Sequence, residues 1–301
     1  MKVKNLSNSP ILPVMLTGLA VLFFWLIYPV FPNSSTSKDR VILWMVDAWR
    51  GDFIHGWAVP VLFAVFISMA WKTMKAERIK SSSLGMVSVV FGILLFLASV
   101  RTLQPRIALF GLPFLIFGGV YFVYGWRVAR HVLFPAFFWY FAITLPGLQQ
   151  ATNGLQVMVT KSCYQVGTFF GMDLIIAGNN IYSADGSWNE LKIAEGCSGI
   201  RSVMALVMIS AIYAYYTQKS IWKKAFLFAC SLPLSMGANF LRIFTILVLS
   251  EMGYSEFGSG IYHDWAGLLF FFPVALTGLF LIDKLLNWKE NRKVVRVRTQ
   301  E

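Results

Sequence analysis

Charged residues are scarce in this sequence. Only 13% of its 301 residues are Asp, Glu, Lys or Arg, whereas soluble domains carry about 25%. Hydrophobic residues make up 57% of the chain, and its mean hydropathy is +0.64. Such a chain would not stay soluble as a monomer. The composition therefore excludes a cytosolic enzyme and a disordered linker, and it predicts a polytopic membrane protein.

Cysteine and histidine are also rare. Three cysteines are too few for a disulfide scaffold, and three scattered histidines form no HExxH pair or other metal-binding spacing. The sequence has no GxSxG elbow, no P-loop and no paired intramembrane aspartate motif. We therefore expect neither a metal nor a cofactor. The 26 basic residues exceed the 14 acidic ones without zinc-finger spacing or an aromatic RNA-binding box, so nucleic acid is not an expected partner.

Eight apolar runs are long enough to cross a bilayer, which takes about 20 residues. They lie at about residues 11–31, 55–71, 84–100, 107–126, 131–148, 197–216, 225–251 and 266–286. With the N-terminus inside, seventeen of the 26 basic residues are cytoplasmic and ten of the 14 acidic residues are outside. The positive-inside rule thus predicts an all-α polytopic protein with about eight transmembrane helices and both termini cytoplasmic. The first run could also be a cleaved signal peptide, but it is long and lacks a small-residue cleavage site, so we expect a helix.

The predicted organisation has three parts. Residues 1–10 form a cytoplasmic N-terminus, residues 11–286 a transmembrane domain, and residues 287–301 a basic cytoplasmic tail. One extracytoplasmic segment, about 149–196, is long enough to fold. Its first part, 149–165, has the amphipathic pattern of a helix on the membrane surface. The stretch 174–194 then predicts two short strands, LIIAGNNIYS and SWNELKIAE, around Asp185-Gly186, so we expect a cap of one helix and a β-hairpin.

Three ionisable residues are predicted near the outer leaflet, where burial is costly unless they are paired or hydrated. Cys197 begins the sixth helix, where the positive end of the helix dipole favours a reactive thiolate. Arg242 lies in the outer half of the seventh helix, three residues after Asn239, which can orient it. His263 precedes the eighth helix. Thiol-based acyl transfer needs such a nucleophile, oxyanion donor and general acid–base.

Each of these residues also has an ordinary structural interpretation. Cys197 taken alone is typical of a buried cysteine at a glycine-bearing helix start. Arg242 could snorkel to the outer interface, and His263 could be an interfacial histidine beside an aromatic belt. The convergence of all three on one leaflet favours the chemical interpretation.

Topology sorts the remaining candidates. His131 lies at the inner end of the fifth predicted helix, a bilayer away from Cys197, so it cannot be the base. His55, at the outer end of the second helix, is a rival base or a substrate-positioning residue. Cys230 is expected to be a packing residue. A disulfide between Cys163 and Cys197 would block the nucleophile, so we expect Cys163 to be a thiol.

These motifs resemble the signatures of the exosortase/archaeosortase family. The segment Cys197-Ser198-Gly199-Ile200-Arg201, the segment Asn239-Phe240-Leu241-Arg242-Ile243 and the late His263 are similar to its three signature motifs. The segment Asp52-Phe53-Ile54-His55-Gly56 looks like its early D-x-x-H-G stretch, and residues 131–146 look like its proline-bounded fifth helix. The similarity covers about residues 50–275.

The resemblance implies a membrane-embedded cysteine transpeptidase in the cytoplasmic (inner) membrane, with its active site on the extracytoplasmic side. Carried over by position, Cys197 is the nucleophile that forms a thioester and Arg242 stabilises the oxyanion. His263 protonates the leaving amine and activates the acceptor. The residues expected to position the substrate are Arg201, Asn239, Ser198, His55 and Asp264.

The resemblance also implies the partners. Relatives recognise exported proteins by a C-terminal sorting signal made of a short motif such as PEP, a transmembrane helix and a basic tail. The expected partners are such proteins, the lipid bilayer and an unknown acceptor nucleophile. The alternative is a transporter or assembly factor for envelope polysaccharide, in which Arg201 and Arg242 bind an anionic substrate and Cys197 is dispensable. A purely structural membrane scaffold would tolerate the loss of Cys197, Arg242 and His263.

Overall fold

The computed structural model describes residues 40–50, 53–143, 148–188, 191–192, 199–260, 262, 265 and 271–298. Most of these residues are helical. The chain divides into two compact units, residues 1–146 and 147–301, and each is described by itself. The first predicted span, residues 11–31, lies outside the described residues.

The described part of the first unit is built from helices. They are α1 (Val41–Arg50), a 3₁₀ turn (Ile54–Trp57) that leads into α2 (Ala58–Ala76), α3 (Leu84–Thr102), α4 (Pro105–Tyr124), α5 (Trp126–Phe138) and a second 3₁₀ turn (Trp139–Ala142). Long apolar runs form these helices because a helix satisfies its own backbone hydrogen bonds.

Helices α3 and α4 form a hairpin whose backbones touch. A Cβ added at Gly118 would lie 2.8 Å from the Cβ of Ser88, and one at Gly85 would lie 2.2 Å from the amide nitrogen of Phe122. Glycine at these positions therefore lets the two helices approach closely, which is a common way for helices to pack in membranes. The side of α3 turned away from α4 exposes large apolar side chains, as a lipid-facing surface does.

The 3₁₀ turn before α2 is tied to the end of the first unit through Trp49. The Trp49 indole lies against Gly56, where an added Cβ would come within 2.3 Å of the ring. The Trp49 Nε1 donates a hydrogen bond of 2.7 Å to the carbonyl oxygen of Ala142. The D-x-x-H-G segment and the chain just after α5 are therefore joined by one tryptophan.

An ion pair links the end of α2 to the start of α5. The Nη2 of Arg130 donates to the Oε1 of Glu77 at 2.6 Å, and the Nε2 of His131 lies 3.6 Å from the same oxygen. The hydrogen bond from Arg130 is the main reason that the pKa of Glu77 lies below its ordinary value. His131 thus faces a carboxylate in a structural cluster.

The second unit contains a small sheet as well as helices. Its elements are α6 (Leu148–Phe169), β1 (Leu174–Ala177), β2 (Asn180–Ser183), β3 (Leu191–Lys192), α7 (Gly199–Thr217), α8 (Ile221–Ala229), α9 (Ser231–Glu251), α10 (Ser255–Ser259) and α11 (Phe272–Arg298). The strands are antiparallel in the order β1, β2, β3, with Ile176 opposite Ile181 and Ile181 opposite Leu191.

The predicted helix and hairpin of the cap are both present, but the predicted position of the hairpin turn is wrong. The run LIIAGNNIYS, predicted as one strand, folds back on itself at Gly178-Asn179 to give β1 and β2. Gly178 has φ of +62°, and a short hairpin turn needs a residue that tolerates positive φ. Asp185 and Gly186 lie in the connection between β2 and β3.

The cap and α9 share one hydrophobic core. It includes Val159 and Cys163 from α6, Ile181 from β2, and Ile243 and Ile246 from α9. The Sγ–H of the fully buried Cys163 points to the carbonyl oxygen of Phe240 at 3.8 Å. The predicted surface helix is therefore held by a buried face against α9.

Among the described residues, four helices are long and apolar enough to cross a membrane: Ile54–Ala76, Leu84–Thr102, Pro105–Tyr124 and Ile221–Glu251. They coincide with the predicted runs at 55–71, 84–100, 107–126 and 225–251. A polytopic all-α membrane protein is thereby confirmed, with four of the eight predicted spans at full length.

The other predicted runs are shorter or only partly described. The run 131–148 gives the 13-residue α5, which contains Pro135 and is followed by the 3₁₀ turn Trp139–Ala142. The sixth run forms the 19-residue α7, Gly199–Thr217. The described part of the eighth run lies at the start of α11, which continues to Arg298.

Candidate functional site

The polar residues of the candidate site lie along the buried face of α9. That face comprises Ser231, Ser235, Ala238, Asn239, Arg242, Ile243, Ile246, Leu247 and Ser250. Their spacing of three and four residues is that of one side of an α-helix. Leu232 and Leu241, on the other side, are exposed. The helix therefore turns these polar side chains toward protein and exposes Leu232 and Leu241 on the opposite side, as expected for a helix in a membrane.

Arg242 is enclosed by protein. Its residue surface is 8% exposed, and that of Asn239, one turn earlier, is 6% exposed. A snorkelling arginine would instead extend its guanidinium into solvent. The Oδ1 of Asn239 has no hydrogen-bond partner among the described residues. The two side chains thus supply a buried cation and a buried amide acceptor on adjacent turns of one face.

Two hydroxyl groups connect α9 to the segment that leads into the predicted histidine. The Tyr262 hydroxyl donates to the Oγ1 of Thr245 at 2.9 Å. The Thr245 hydroxyl in turn donates to the backbone carbonyl of Arg242 at 2.8 Å. Tyr262 directly precedes His263 in the sequence. Tyr262 is therefore linked to α9 within about one turn of Arg242.

The start of α7 lies at the same level. Ala214 of α7 belongs to a buried cluster with Leu227, and Leu206 to one with Ala238, so α7 runs antiparallel to α8 and α9. Both helices continue for one more turn beyond Leu206 and Ala238, so the backbone of the first turn of α7, which includes Arg201, is level with Arg242.

The other predicted site residues lie outside the described residues or belong to the first unit. Cys197 and Ser198 directly precede α7 in the sequence, but they lie outside the described residues, as do His263 and Asp264. His55 belongs to the first unit, where its residue surface is 9% exposed and its ring centroid is 5.5 Å from that of Phe53.

Sequence analysis did not identify the roles of Thr245 and Tyr262. A threonine inside an apolar helix and a tyrosine in an aromatic stretch form no motif, so neither carries a signal by itself. They belong to the candidate site only because their hydrogen bonds lead to the backbone carbonyl of Arg242. Within the described residues, no group of three or more His, Cys, Asp or Glu side chains is placed to hold a metal ion.

The comparisons with known proteins identify a family. A family model for transmembrane exosortases matches residues 44–281, about four-fifths of the chain. No curated protein and no solved structure matches the sequence. The matched region includes the D-x-x-H-G segment, the start of α7, all of α9 and the segment around Tyr262. The chain therefore belongs to the transmembrane exosortase family.

Proposed function

We propose that this exosortase is a cysteine transpeptidase that cleaves C-terminal sorting signals of exported proteins. In this proposal the signal is of the PEP type, with a short motif, a transmembrane helix and a basic tail. The new C-terminus passes through a thioester on Cys197 to an acceptor nucleophile. The reaction takes place on the extracytoplasmic side of the inner membrane.

The observation that carries this proposal is the hydrogen-bond chain from Tyr262 through Thr245 to the carbonyl of Arg242. It holds Tyr262, which directly precedes His263 in the sequence, within about one turn of the Arg242 backbone. Together with the start of α7 at the same level, it supports one site that draws on three distant parts of the sequence. A scaffold without chemistry has no need for this convergence.

Each residue then has one role in the reaction. The Cys197 thiolate attacks the scissile carbonyl carbon, and the carbonyl oxygen becomes an oxyanion. Arg242 donates hydrogen bonds to that oxyanion from a site shielded from water, where such bonds stabilise charge most strongly. His263 gives a proton to the leaving amine as the thioester forms. It then takes a proton from the acceptor, which attacks the thioester carbonyl and releases the Cys197 thiolate.

The surroundings suit a peptide substrate that is anchored in the membrane. Its scissile bond would stand at the level of Arg242, beside the cap that packs on the same end of α9. In this role the cap shapes the groove that receives the sorting motif, with Arg201, Asn239, Ser198 and Asp264 as positioning residues. Deleting residues 174–192 should abolish processing while the protein still enters the membrane. Normal processing by that deletion variant would refute the role of the cap.

The decisive experiment compares the C-terminal peptides of exported proteins, by mass spectrometry, in cells with wild type or Cys197→Ala. We expect a set of exported proteins to keep its hydrophobic C-terminal helix only in the variant. Cys163→Ala and Cys230→Ala are matched controls because they remove the other two thiols, and they should process normally. Unchanged C-termini in Cys197→Ala cells, together with altered envelope polysaccharide, would favour the transport interpretation.

A further inference from the structure

A second polar site lies at the other end of the helices in the second unit. It is a cavity of about 340 Å³ where α7 ends and α8 begins. The lining residues are Thr217, Lys219, Ser220, Lys223, Asp283, Lys284 and Asn287. Three ammonium groups against one carboxylate give the cavity an excess of positive charge.

The carboxylate of the cavity is held by uncharged groups of the protein. Asp283 accepts hydrogen bonds from the Tyr213 hydroxyl at 2.8 Å, from the Nδ2 of Asn287 at 2.8 Å, and from the side-chain amide of Gln218. Lys223 donates to the Oδ1 of Asn287 at 2.9 Å. These bonds fix the wall of the cavity and order one of its three lysines. They also leave fewer lone pairs of Asp283 for the ammonium groups.

The cavity has the side chains that mark a membrane–water boundary. Trp222 is 81% exposed and Trp288 is 53% exposed, and each adjoins a lining residue in the sequence. Exposed tryptophans beside lysines are typical of the level of lipid headgroups. Nineteen residues separate Lys223 from Arg242 along α8 and α9, which is roughly 28 Å and close to the thickness of the hydrocarbon core. The cavity is therefore near the membrane face opposite to Arg242.

We propose that this cavity binds the phosphate of an anionic phospholipid headgroup. Lysine ammonium groups bind phosphate as point charges, and basic pockets between transmembrane helices recognise anionic headgroups. The neighbouring side chains fit the rest of such a lipid, because Ile221 and Leu285 expose 71% and 70% of their surfaces and can contact its acyl chains. A soluble phosphate compound would gain nothing from these apolar flanks. The proposal does not depend on the proposed transpeptidase activity.

The test measures lipid binding to the purified full-length chain in detergent. Native mass spectrometry compares phosphatidylglycerol with phosphatidylcholine of the same acyl chains. We expect wild type to bind phosphatidylglycerol at least about tenfold more tightly. The triple variant Lys219→Gln, Lys223→Gln, Lys284→Gln should lose this preference, with affinity for phosphatidylglycerol falling between about 10-fold and 100-fold.

A matched control separates the site from the overall charge. The variant Lys72→Gln, Lys75→Gln, Lys80→Gln removes the same number of charges from exposed lysines of the first unit, and it should bind phosphatidylglycerol as wild type does. Equal weakening in both triple variants, or wild-type binding by the cavity variant, would overturn the proposal. So would displacement of the lipid by millimolar inorganic phosphate, because that would identify a site for soluble phosphate compounds. If the triple cavity variant aggregates, Lys219→Gln replaces it, with an expected loss of about threefold to fivefold and wild-type affinity as the contrary result.

Discussion

The indole Nε1 of Trp188 donates a hydrogen bond of 3.0 Å to the Oε1 of Glu251, the last residue of α9. Trp188 is 6% exposed and comes from the connection between β2 and β3. This bond ties the cap to the end of the helix that carries Arg242. The cap and the polar face of α9 therefore form one structure rather than a loop resting on a helix.

Replacing Trp188 with phenylalanine should loosen that connection. The variant keeps most of the buried ring but leaves the Glu251 carboxylate without its donor. We expect the free energy of unfolding to fall by about 1–3 kcal/mol, measured as thermal stability in detergent. Trp222→Phe is the control, because that indole is 81% exposed, and it should change stability little. A Trp188→Phe variant as stable as the control would show that the hydrogen bond is not what anchors the cap.

The hydroxyl pair Tyr262 and Thr245 should be coupled in function. Tyr262→Phe and Thr245→Val each break the chain to the Arg242 carbonyl, and each should slow substrate cleavage by about 3- to 10-fold. Because both act through the same chain of hydrogen bonds, the double variant should be no slower than the slower single variant. The measurement is the cleavage rate of a sorting-signal substrate by each variant. Tyr254→Phe, at an exposed tyrosine, is the control, and fully additive effects would contradict the chain.

Arg242 should be needed for catalysis as a guanidinium and not only as a positive charge. Lysine keeps the charge but lacks the planar fork of donors. We expect both Arg242→Lys and Arg242→Gln to lower the rate of cleavage by about 100- to 1000-fold, with normal amounts of protein in the membrane. Arg101→Gln, at an exposed position, serves as the control. A wild-type rate of cleavage by Arg242→Lys would mean that only the positive charge of this residue is needed.

The glycine contact between α3 and α4 gives a test with neighbouring positions. A Cβ at Gly118 would meet the backbone of α3 at Val89 N, 2.8 Å away, whereas one at Gly119 would meet nothing within 4 Å. Gly118→Ala should therefore destabilise the first unit by about 1–3 kcal/mol, while Gly119→Ala should be neutral or slightly stabilising. Thermal unfolding in detergent measures both variants. Equal effects at the two positions would mean that the helices do not touch at Gly118.

Asp185 should make the stability of the cap depend on pH. Hydrogen bonds from the Ser183 hydroxyl and from the Ser187 side chain and backbone lower the pKa of Asp185 to about 2. Because the pKa is lower in the folded protein than in the unfolded one, these bonds stabilise the cap fully above the ordinary pKa, and the benefit is lost as the pH falls toward 2. Protease resistance of the 184–188 connection should thus be higher in wild type than in Asp185→Asn at neutral pH. The difference should disappear in acid, and a gap that persists at the lowest pH would contradict the assignment.

Sequence patterns predicted the helices with long apolar runs well, because length and hydropathy alone decide that such segments are helical in a membrane. The run 84–100 became Leu84–Thr102, and 225–251 lies within Ile221–Glu251. The hydropathy pattern was less informative at positions where local backbone geometry decides whether a strand or helix ends. The Gly178-Asn179 turn divides an apolar run that reads as one strand, and Pro135 lies in a helix that soon gives way to a 3₁₀ turn.

The candidate site was predictable only in part. The motif drew attention to Asn239 and Arg242 because a charged group inside a membrane needs polar partners, and both residues lie on the buried face of α9. Thr245 and Tyr262 could not be found, because a hydrogen bond across 17 residues leaves no periodic trace in the sequence. The assignments of Cys197 and His263 remain predictions that the mass-spectrometric comparison tests.

The contact between Gly56 and the Trp49 indole changes how an alanine scan of this protein should be interpreted. Alanine at position 56 would bring a methyl group within 2.3 Å of that ring and push the indole away from the Ala142 carbonyl. Lost activity in that variant would measure a displaced tryptophan and not a missing contact with substrate. A scan that counts every sensitive motif position as catalytic would therefore overcount the active site by at least this glycine.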